Sequence, residues 1–147
     1  MTRSKRLKER LEAICSRYGI EILYVFGSRS DEIKELLEGG IQRLGASGSD
    51  TDLGAKLGTG VSLTVREKAR MAAELEDLLG VDRVDLCFVN ETDPFVAAEI
   101  IRGERVYCAD ELRADEYELY ILRRAGDLVP FEQERMRLSL GEPAKSP

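Results

Sequence analysis

Helix-like and strand-like patterns alternate along the chain, and no other feature of the sequence limits the fold as strongly. Five segments are predicted to be helices: residues 3–18, 29–38, 64–79, 94–102 and 111–125. Four segments have the short apolar runs or the two-residue alternation of strands: residues 22–26, 50–57, 83–89 and 105–108. This order predicts an α/β or α+β fold, with helices packed on one face of a mixed sheet of three to four strands.

A length of 147 residues suits one domain, which is predicted to span residues 1–147. Residues 30–48 are predicted to form a helical insertion, and residues 46–49 within or beside it have the composition of a loop. The C-terminal helical segment is predicted over residues 111–139, with an interruption or kink at Gly126 and Pro130. The last residues, 141–147, are expected to fray.

The absence of histidine limits the chemistry. It excludes Ser-His and Cys-His nucleophilic catalysis, histidine-ligated zinc and the commonest general base at neutral pH. Carboxylates are therefore expected to carry the chemistry. A carboxylate site favours a hard cation such as magnesium, manganese or calcium over zinc.

Charge and cysteine content indicate the setting in which the protein works. Cys15, Cys87 and Cys108 are widely spaced and lie next to apolar residues, as buried free thiols do, so a reducing cytoplasm is expected. The charged amino terminus does not resemble a secretory signal, and no apolar run is long enough to cross a membrane. A net charge of −6 argues against a large nucleic-acid footprint.

Gly27 and Ser28 lie between a predicted strand and a predicted helix. Glycine lets the backbone approach a ligand closely, while the serine hydroxyl and the helix amides can donate hydrogen bonds to a phosphate. A tight turn in which Ser28 is the helix N-cap is the more frequent explanation of such a pair. The pair alone therefore does not identify a phosphate site.

Three aspartates give a second signal. Asp50 and Asp52 lie two residues apart on a predicted strand, so their side chains point the same way and are close enough to share cations. A polar strand end with solvated acids is the alternative. Asp85 lies in an otherwise apolar strand, where it needs a cation, a basic partner such as Arg83, or contact with solvent. The turn, the acid pair and the lone acid together favour a phosphoryl-transfer site.

At these residues the sequence resembles a known family. YVFGSR at residues 24–29, SDTDL at residues 49–53 and VDL at residues 84–86 are similar to minimal nucleotidyltransferases of the polymerase-β superfamily. The C-terminal part of the chain also resembles that of this group, at residues 93–94, 99–100 and 103–107 and in the helix that follows them. The resemblance covers nearly the whole chain and implies a polymerase-β-like nucleotidyltransferase fold.

The resemblance implies roles for the matching residues. Gly27 and Ser28 would hold the β- and γ-phosphates of a nucleoside triphosphate, with ATP expected. Asp50 and Asp52 would bind two magnesium ions, for which manganese could substitute. Asp85 would help to bind the catalytic metal and would activate the acceptor hydroxyl. The implied reaction is in-line attack on the α-phosphate with release of pyrophosphate.

Two basic residues and one long spacing allow more than one interpretation. Arg29 and Lys56 are candidate phosphate contacts, but either could be a surface charge or an ion-pair partner of the acids. Ser28 and Asp50 are separated by 21 residues, about twice the family spacing. The sequence leaves open whether this insertion shapes the acceptor site, contacts another subunit in a homo-oligomer or shields an inactive pocket.

Three functions are compatible with the sequence. Many relatives of this size resemble the antitoxin half of HEPN/MNT toxin–antitoxin pairs, which implies transfer of AMP to a tyrosine of a HEPN partner. A catalytically idle module that acts by surface contact is the first alternative. The second is a small-molecule nucleotidyltransferase, although little length remains after the catalytic core for an acceptor-binding domain.

Overall fold

The computed structural model describes residues 2–45 and 50–139. The helices are α1 (Arg3–Arg17), α2 (Ser30–Glu38), α3 (Val65–Leu79), α4 (Pro94–Ile101) and α5 (Glu111–Ser139). The strands are β1 (Ile20–Phe26), β2 (Thr51–Leu57), β3 (Val84–Phe88) and β4 (Glu104–Cys108), and a short 3₁₀ helix (Val89–Glu91) follows β3. The predicted loop at residues 46–49 and the predicted frayed tail lie outside the described residues. The predicted insertion contains α2 and extends into that undescribed loop.

The four strands form one mixed sheet in the order β3-β2-β1-β4. β1 pairs antiparallel with β2 and with β4, whereas β2 pairs parallel with β3. A parallel pair needs a crossover between its strands, and α3 is that crossover. The predicted α+β fold with a mixed sheet is confirmed, and β4 lies at the edge as expected.

Helices cover both faces of the sheet, so the prediction that they pack on one face is wrong. On one face Leu23 and Val25 of β1 belong to a core that includes buried residues of α1, α2 and α3. On the other face Ile22 and Tyr24 belong to a core with α4 and α5. A strand that is apolar on both faces must be covered on both, and the continuous apolar run of β1 already carried that signal.

α5 is a single helix, so an interruption within the C-terminal segment is wrong, whereas a kink at Gly126 or Pro130 stays a prediction. It continues through Gly126 and Pro130 to Ser139. Proline holds φ near the helical value and removes one backbone hydrogen bond, so a long helix can continue through it at a cost of about 3 kcal/mol. In the described part of the chain, every helix is too short or too polar to cross a lipid bilayer.

Candidate active site

The register of two parallel strands brings the predicted acids together. Asp52 of β2 lies directly beside Asp85 of β3. Adjacent strands are about 4.8 Å apart, and directly paired residues of a parallel sheet project to the same side. Asp50 immediately precedes β2 and lies two residues before Asp52, so its position falls on that side too. The strand register thus brings Asp52 and Asp85 together, and Asp50 lies close to them in sequence.

The turn after β1 lies directly against this acid group. The register of β1 with β2 pairs Phe26 with Asp52, which places Gly27 beside the carboxylate. Gly27 has a φ of 79°, and a Cβ added there would overlap Asp52 Oδ2. Only glycine fits this left-handed conformation and close approach without strain. The turn of the sequence motif and Asp52 are therefore adjacent.

Ser28 is exposed between this turn and α2. The residue at the N-cap position of α2 is Arg29, and no side chain caps the helix. The serine N-cap that offered the simpler explanation of the motif is therefore absent. Uncapped amides at a helix start can bind an anion, which is compatible with phosphate at this turn.

The electrostatics of the acids show an excess of negative charge. The pKa of Asp52 is raised, first by burial and then by the charges of Asp85 and Asp50. The side chains of Asp50 and Asp85 are 43% and 40% exposed. A divalent cation would offset this repulsion, and carboxylate oxygens are the ligands that magnesium and manganese prefer.

Arg83 supplies a positive charge between the two outer acids. Its Nε lies 3.8 Å from Asp50 Oδ2, and its Nη2 lies 3.3 Å from Asp85 Oδ1. The arginine side chain is 68% exposed, and ion pairs at such exposure contribute little free energy. The guanidinium therefore balances part of the acid charge at little gain in stability.

The fit of the site to a metal rests on the backbone rather than on the present side-chain rotamers. Among the residues that the structure describes, no three His, Cys, Asp or Glu side chains are already arranged around a metal position. The strand register nevertheless fixes the positions from which the acids project. A metal shared by the three aspartates would therefore require their side chains to move closer together.

The side chain of Arg29 is buried and contacts Glu32 and Gly45. Its side chain is 7% exposed and forms an ion pair with Glu32, with Nη2 3.3 Å from Oε1. The same nitrogen donates to the carbonyl oxygen of Gly45 at 3.1 Å, and the Gly45 amide donates to Glu32 at 2.7 Å. Arg29 therefore holds the residues that follow α2 against its first turn. This geometry gives its predicted phosphate contact no support.

Lys56 lies far from the acids along the same strand. It is four residues from Asp52, which is about 13 Å at the rise of a β-strand. Its Nζ lies 3.0 Å from Glu21 Oε2 and 4.9 Å from the centre of the Tyr117 ring. Lys56 is thus an ion-pair partner, but of Glu21 rather than of the aspartates. Its predicted phosphate contact has no geometric support.

Glu76 is a positioning residue that the sequence did not indicate. Its Oε2 accepts a hydrogen bond of 2.9 Å from the backbone amide of Val84, the first residue of β3. This bond ties α3 to the strand that carries Asp85. The bonded residues are eight positions apart and belong to different elements, so the contact has no local pattern that could have predicted it.

The chain is similar to known proteins in its sequence profile and in its fold. The sequence profile of the family described as Polymerase beta, Nucleotidyltransferase matches residues 9–112. No curated protein sequence is significantly similar to the chain.

Several solved structures share the fold at 12–14% sequence identity. One is a mutant of the toxin–antitoxin MntA-HpeT (TM-score 0.67, 12% identity, 90% of this chain, 98% of that chain). Another is a toxin–antitoxin with AMP-PNP (TM-score 0.66, 14% identity, 90% of this chain, 98% of that chain). A third is a tri-AMPylated Shewanella oneidensis HEPN toxin in complex with MNT antitoxin (TM-score 0.65, 12% identity, 93% of this chain, 98% of that chain).

Proposed function

This chain belongs to the polymerase beta nucleotidyltransferase family, and we propose that it transfers AMP from ATP to a hydroxyl group of a partner protein. One observation carries the proposal. Gly27 lies against Asp52, and Asp52 lies in register with Asp85. A turn that can admit a phosphate is therefore adjacent to acids from two neighbouring strands.

The proposed reaction follows from this arrangement. The acceptor oxygen attacks the α-phosphorus of ATP, a new oxygen–phosphorus bond forms, and the bond to the β-phosphate oxygen breaks as pyrophosphate leaves. Asp85 accepts the proton of the acceptor hydroxyl, while the turn at Gly27 and Ser28 holds the leaving phosphates. Magnesium or manganese held by Asp50, Asp52 and Asp85 would stabilise the charge on the entering and leaving oxygens.

The choice of AMP and of a protein acceptor is motivated by the relatives that share the fold. One of these contains a tri-AMPylated HEPN toxin beside its MNT antitoxin, and another was solved with AMP-PNP. We therefore propose a HEPN-type protein as the acceptor, with a tyrosine as the modified residue.

The decisive experiment is a transfer assay with the full chain. The protein is incubated with magnesium, with ATP labelled at the α-phosphate, and with the purified product of the adjacent gene as acceptor. Label is expected on the acceptor, and none is expected when ATP carries the label at the γ-phosphate. Absence of transfer with any nucleotide and either metal contradicts the proposal.

Paired variants identify the residues responsible. Asp52→Asn removes a metal-binding charge worth several kcal/mol in the transition state, so the transfer rate is expected to fall roughly 10³-fold. Asp82→Asn is the matched control, because Asp82 is exposed and close in sequence to Asp85 but outside the acid group. It is expected to retain the wild-type rate. Equal losses of transfer rate in both variants would show that the negative charge of the surface in general, rather than this site, supports transfer.

The second candidate is a catalytically idle module that binds a partner by surface contact. The ion pairs of Arg83 with Asp50 and Asp85 favour it, because they balance part of the acid charge without metal. In that case Asp52→Asn would neutralise the partner as well as the wild type does. The enzyme proposal expects neutralisation to be lost.

A further inference from the structure

A groove runs along α1 on a part of the molecule that the transfer site does not use. Three adjoining cavities of about 260, 400 and 210 Å³ are lined by residues from Thr2 to Arg17 of this helix region. The first and second share Arg3 and Leu7, and the second and third share Arg10. We call this continuous surface the α1 groove. α1 has 15 residues, so the groove is about 22 Å long.

The central cavity of the groove combines leucines with exposed arginines. Its apolar lining includes Leu36 and Leu78, which are buried, and Leu7 and Leu44, which are partly buried. Its charged lining consists of Arg3, Arg6, Arg10, Arg43 and Asp77. Four arginines and one aspartate give a formal charge of +3 in a protein whose net charge is −6.

The four arginines line one cavity together in the described part of the chain. Within that part, their guanidinium groups make no hydrogen bond or ion pair. Six other arginines pair with carboxylates: Arg17, which lines the third cavity, and Arg29, Arg83, Arg102, Arg105 and Arg113. Arg66, Arg70 and Arg123 likewise make no ion pair in the described part of the chain, but they do not line the groove. Clustered like charges repel one another, and an anionic ligand would remove that repulsion.

We propose that the α1 groove binds an acidic polypeptide segment of a partner protein that also carries aliphatic side chains. An extended segment of about seven residues matches the groove length at 3.3 Å per residue. Its carboxylates would pair with the arginines, and its aliphatic side chains would contact the leucines. Arginine is well suited to this task because its planar fork binds carboxylates through two hydrogen bonds.

The lining favours a peptide over a single-stranded nucleic acid. Nucleic-acid grooves of this kind combine basic residues with aromatic side chains on which bases stack. Among the described residues that line the three cavities, none is aromatic. The groove is also separate from the acid group, because none of the lining residues belongs to the turn or the three aspartates. The proposal therefore holds whether or not the chain is an active transferase.

Binding is tested with a fluorescein-labelled eight-residue peptide that alternates glutamate and leucine. Anisotropy is measured against the full chain at low and moderate salt. Binding is expected to weaken as salt rises, because exposed charge pairs are screened. Matched peptides replace every glutamate with lysine or every leucine with serine, and both are expected to bind at least about tenfold more weakly.

Two double variants on the same helix locate the site. Arg6→Glu with Arg10→Glu reverses two groove charges and is expected to weaken peptide binding more than about tenfold. Lys5→Glu with Lys8→Glu makes the same charge change on exposed residues of α1 that do not line the groove. This control is expected to change affinity less than about threefold. Circular dichroism confirms that both variants remain folded.

Several results would overturn the proposal. These are equal weakening in both double variants, equal binding of the serine peptide, and no binding of the glutamate–leucine peptide at about 1 mM. Tighter binding of a uridine octanucleotide would assign the groove to RNA instead. Self-association in sedimentation velocity that only Arg6→Glu with Arg10→Glu abolishes would assign it to a second copy of the chain.

Discussion

One face of the sheet carries charged residues at both ends of β2, and the two ends balance their charges in different ways. At one end Asp52 lies beside Asp85 and close to Asp50, and the cation between the outer acids is the exposed Arg83. At the other end Lys56 and Glu21 form an ion pair of 3.0 Å whose side chains are only 12% and 10% exposed.

We call the end of β2 at Lys56 the paired end, and further contacts within the protein complete it. Arg113 of α5 reaches Glu21 at 3.3 Å, and Lys56 lies over the Tyr117 ring. A buried charge without a partner costs several kcal/mol. At this end the buried charges are therefore balanced by side chains of the protein itself. The opposite end of β2, at Asp52, which we call the acid end, keeps a surplus of negative charge that a cationic ligand would balance. The contrast fits a stabilising role for the paired end and, under the proposed function, ligand binding at the acid end.

The largest stability effect is expected at the paired end. Lys56→Met keeps the aliphatic stem but leaves Glu21 with Arg113 as its remaining ion-pair partner. The free energy of unfolding is therefore expected to fall by about 3 kcal/mol. Lys68→Met is the matched control. Lys68 also pairs with a glutamate, Glu91, and lies 4.8 Å from a ring centre, but the pair is more exposed. Its loss is expected to cost less than about 1 kcal/mol. Urea denaturation measures both, and equal losses would contradict the contrast in burial.

The next effect concerns the close fit at the acid end. Gly27→Ala introduces a Cβ that overlaps Asp52 Oδ2 at a φ of 79°, so we expect a loss of about 2 kcal/mol and displacement of Asp52. Gly60→Ala controls for backbone strain, because Gly60 has a φ of 78° and nothing within 4 Å of the added atom. It is expected to cost about 1 kcal/mol and to leave transfer unchanged. If the two variants lose stability and activity alike, the turn does not touch the acids.

The smallest effect has the opposite sign. Asp52→Asn is expected to raise the free energy of unfolding at pH 7 by less than about 1 kcal/mol, because it removes a carboxylate whose charged form is disfavoured in the folded state.

The pH dependence follows from the raised pKa of Asp52. The penalty is complete above the folded-state pKa and disappears as pH falls below the unfolded-state value, so the variant and the wild type should converge in acid. Magnesium should stabilise the wild type more than the variant. A variant less stable than the wild type at pH 7 would show that Asp52 is already compensated inside the protein.

The secondary structure followed closely from local patterns. The two-residue alternation around Asp50 and Asp52 placed both acids on one face, and the apolar run of β1 indicated a strand buried on both sides. The continuity of α5 through Pro130 could not be predicted in this way, because a penalty from one residue does not decide the outcome for a helix of 29 residues.

The partners of charged side chains were the least predictable feature. Lys56 pairs with Glu21, which lies 35 positions away, and Arg29 reaches Gly45 across 16 positions. Such contacts depend on where distant elements pack. A basic residue near an acid in sequence is therefore a weak guide to the ligand it meets in space.

The sequence by itself determined the order of helices and strands, the shared face of Asp50 and Asp52, and a chemistry of carboxylates without histidine. These follow from side-chain periodicity and composition, which are local properties. Only the tertiary structure decided that Asp52 stands beside Asp85 and that Gly27 touches Asp52. Strand register depends on how the faces of the sheet are buried, and a slip of one residue would send Asp85 to the opposite side.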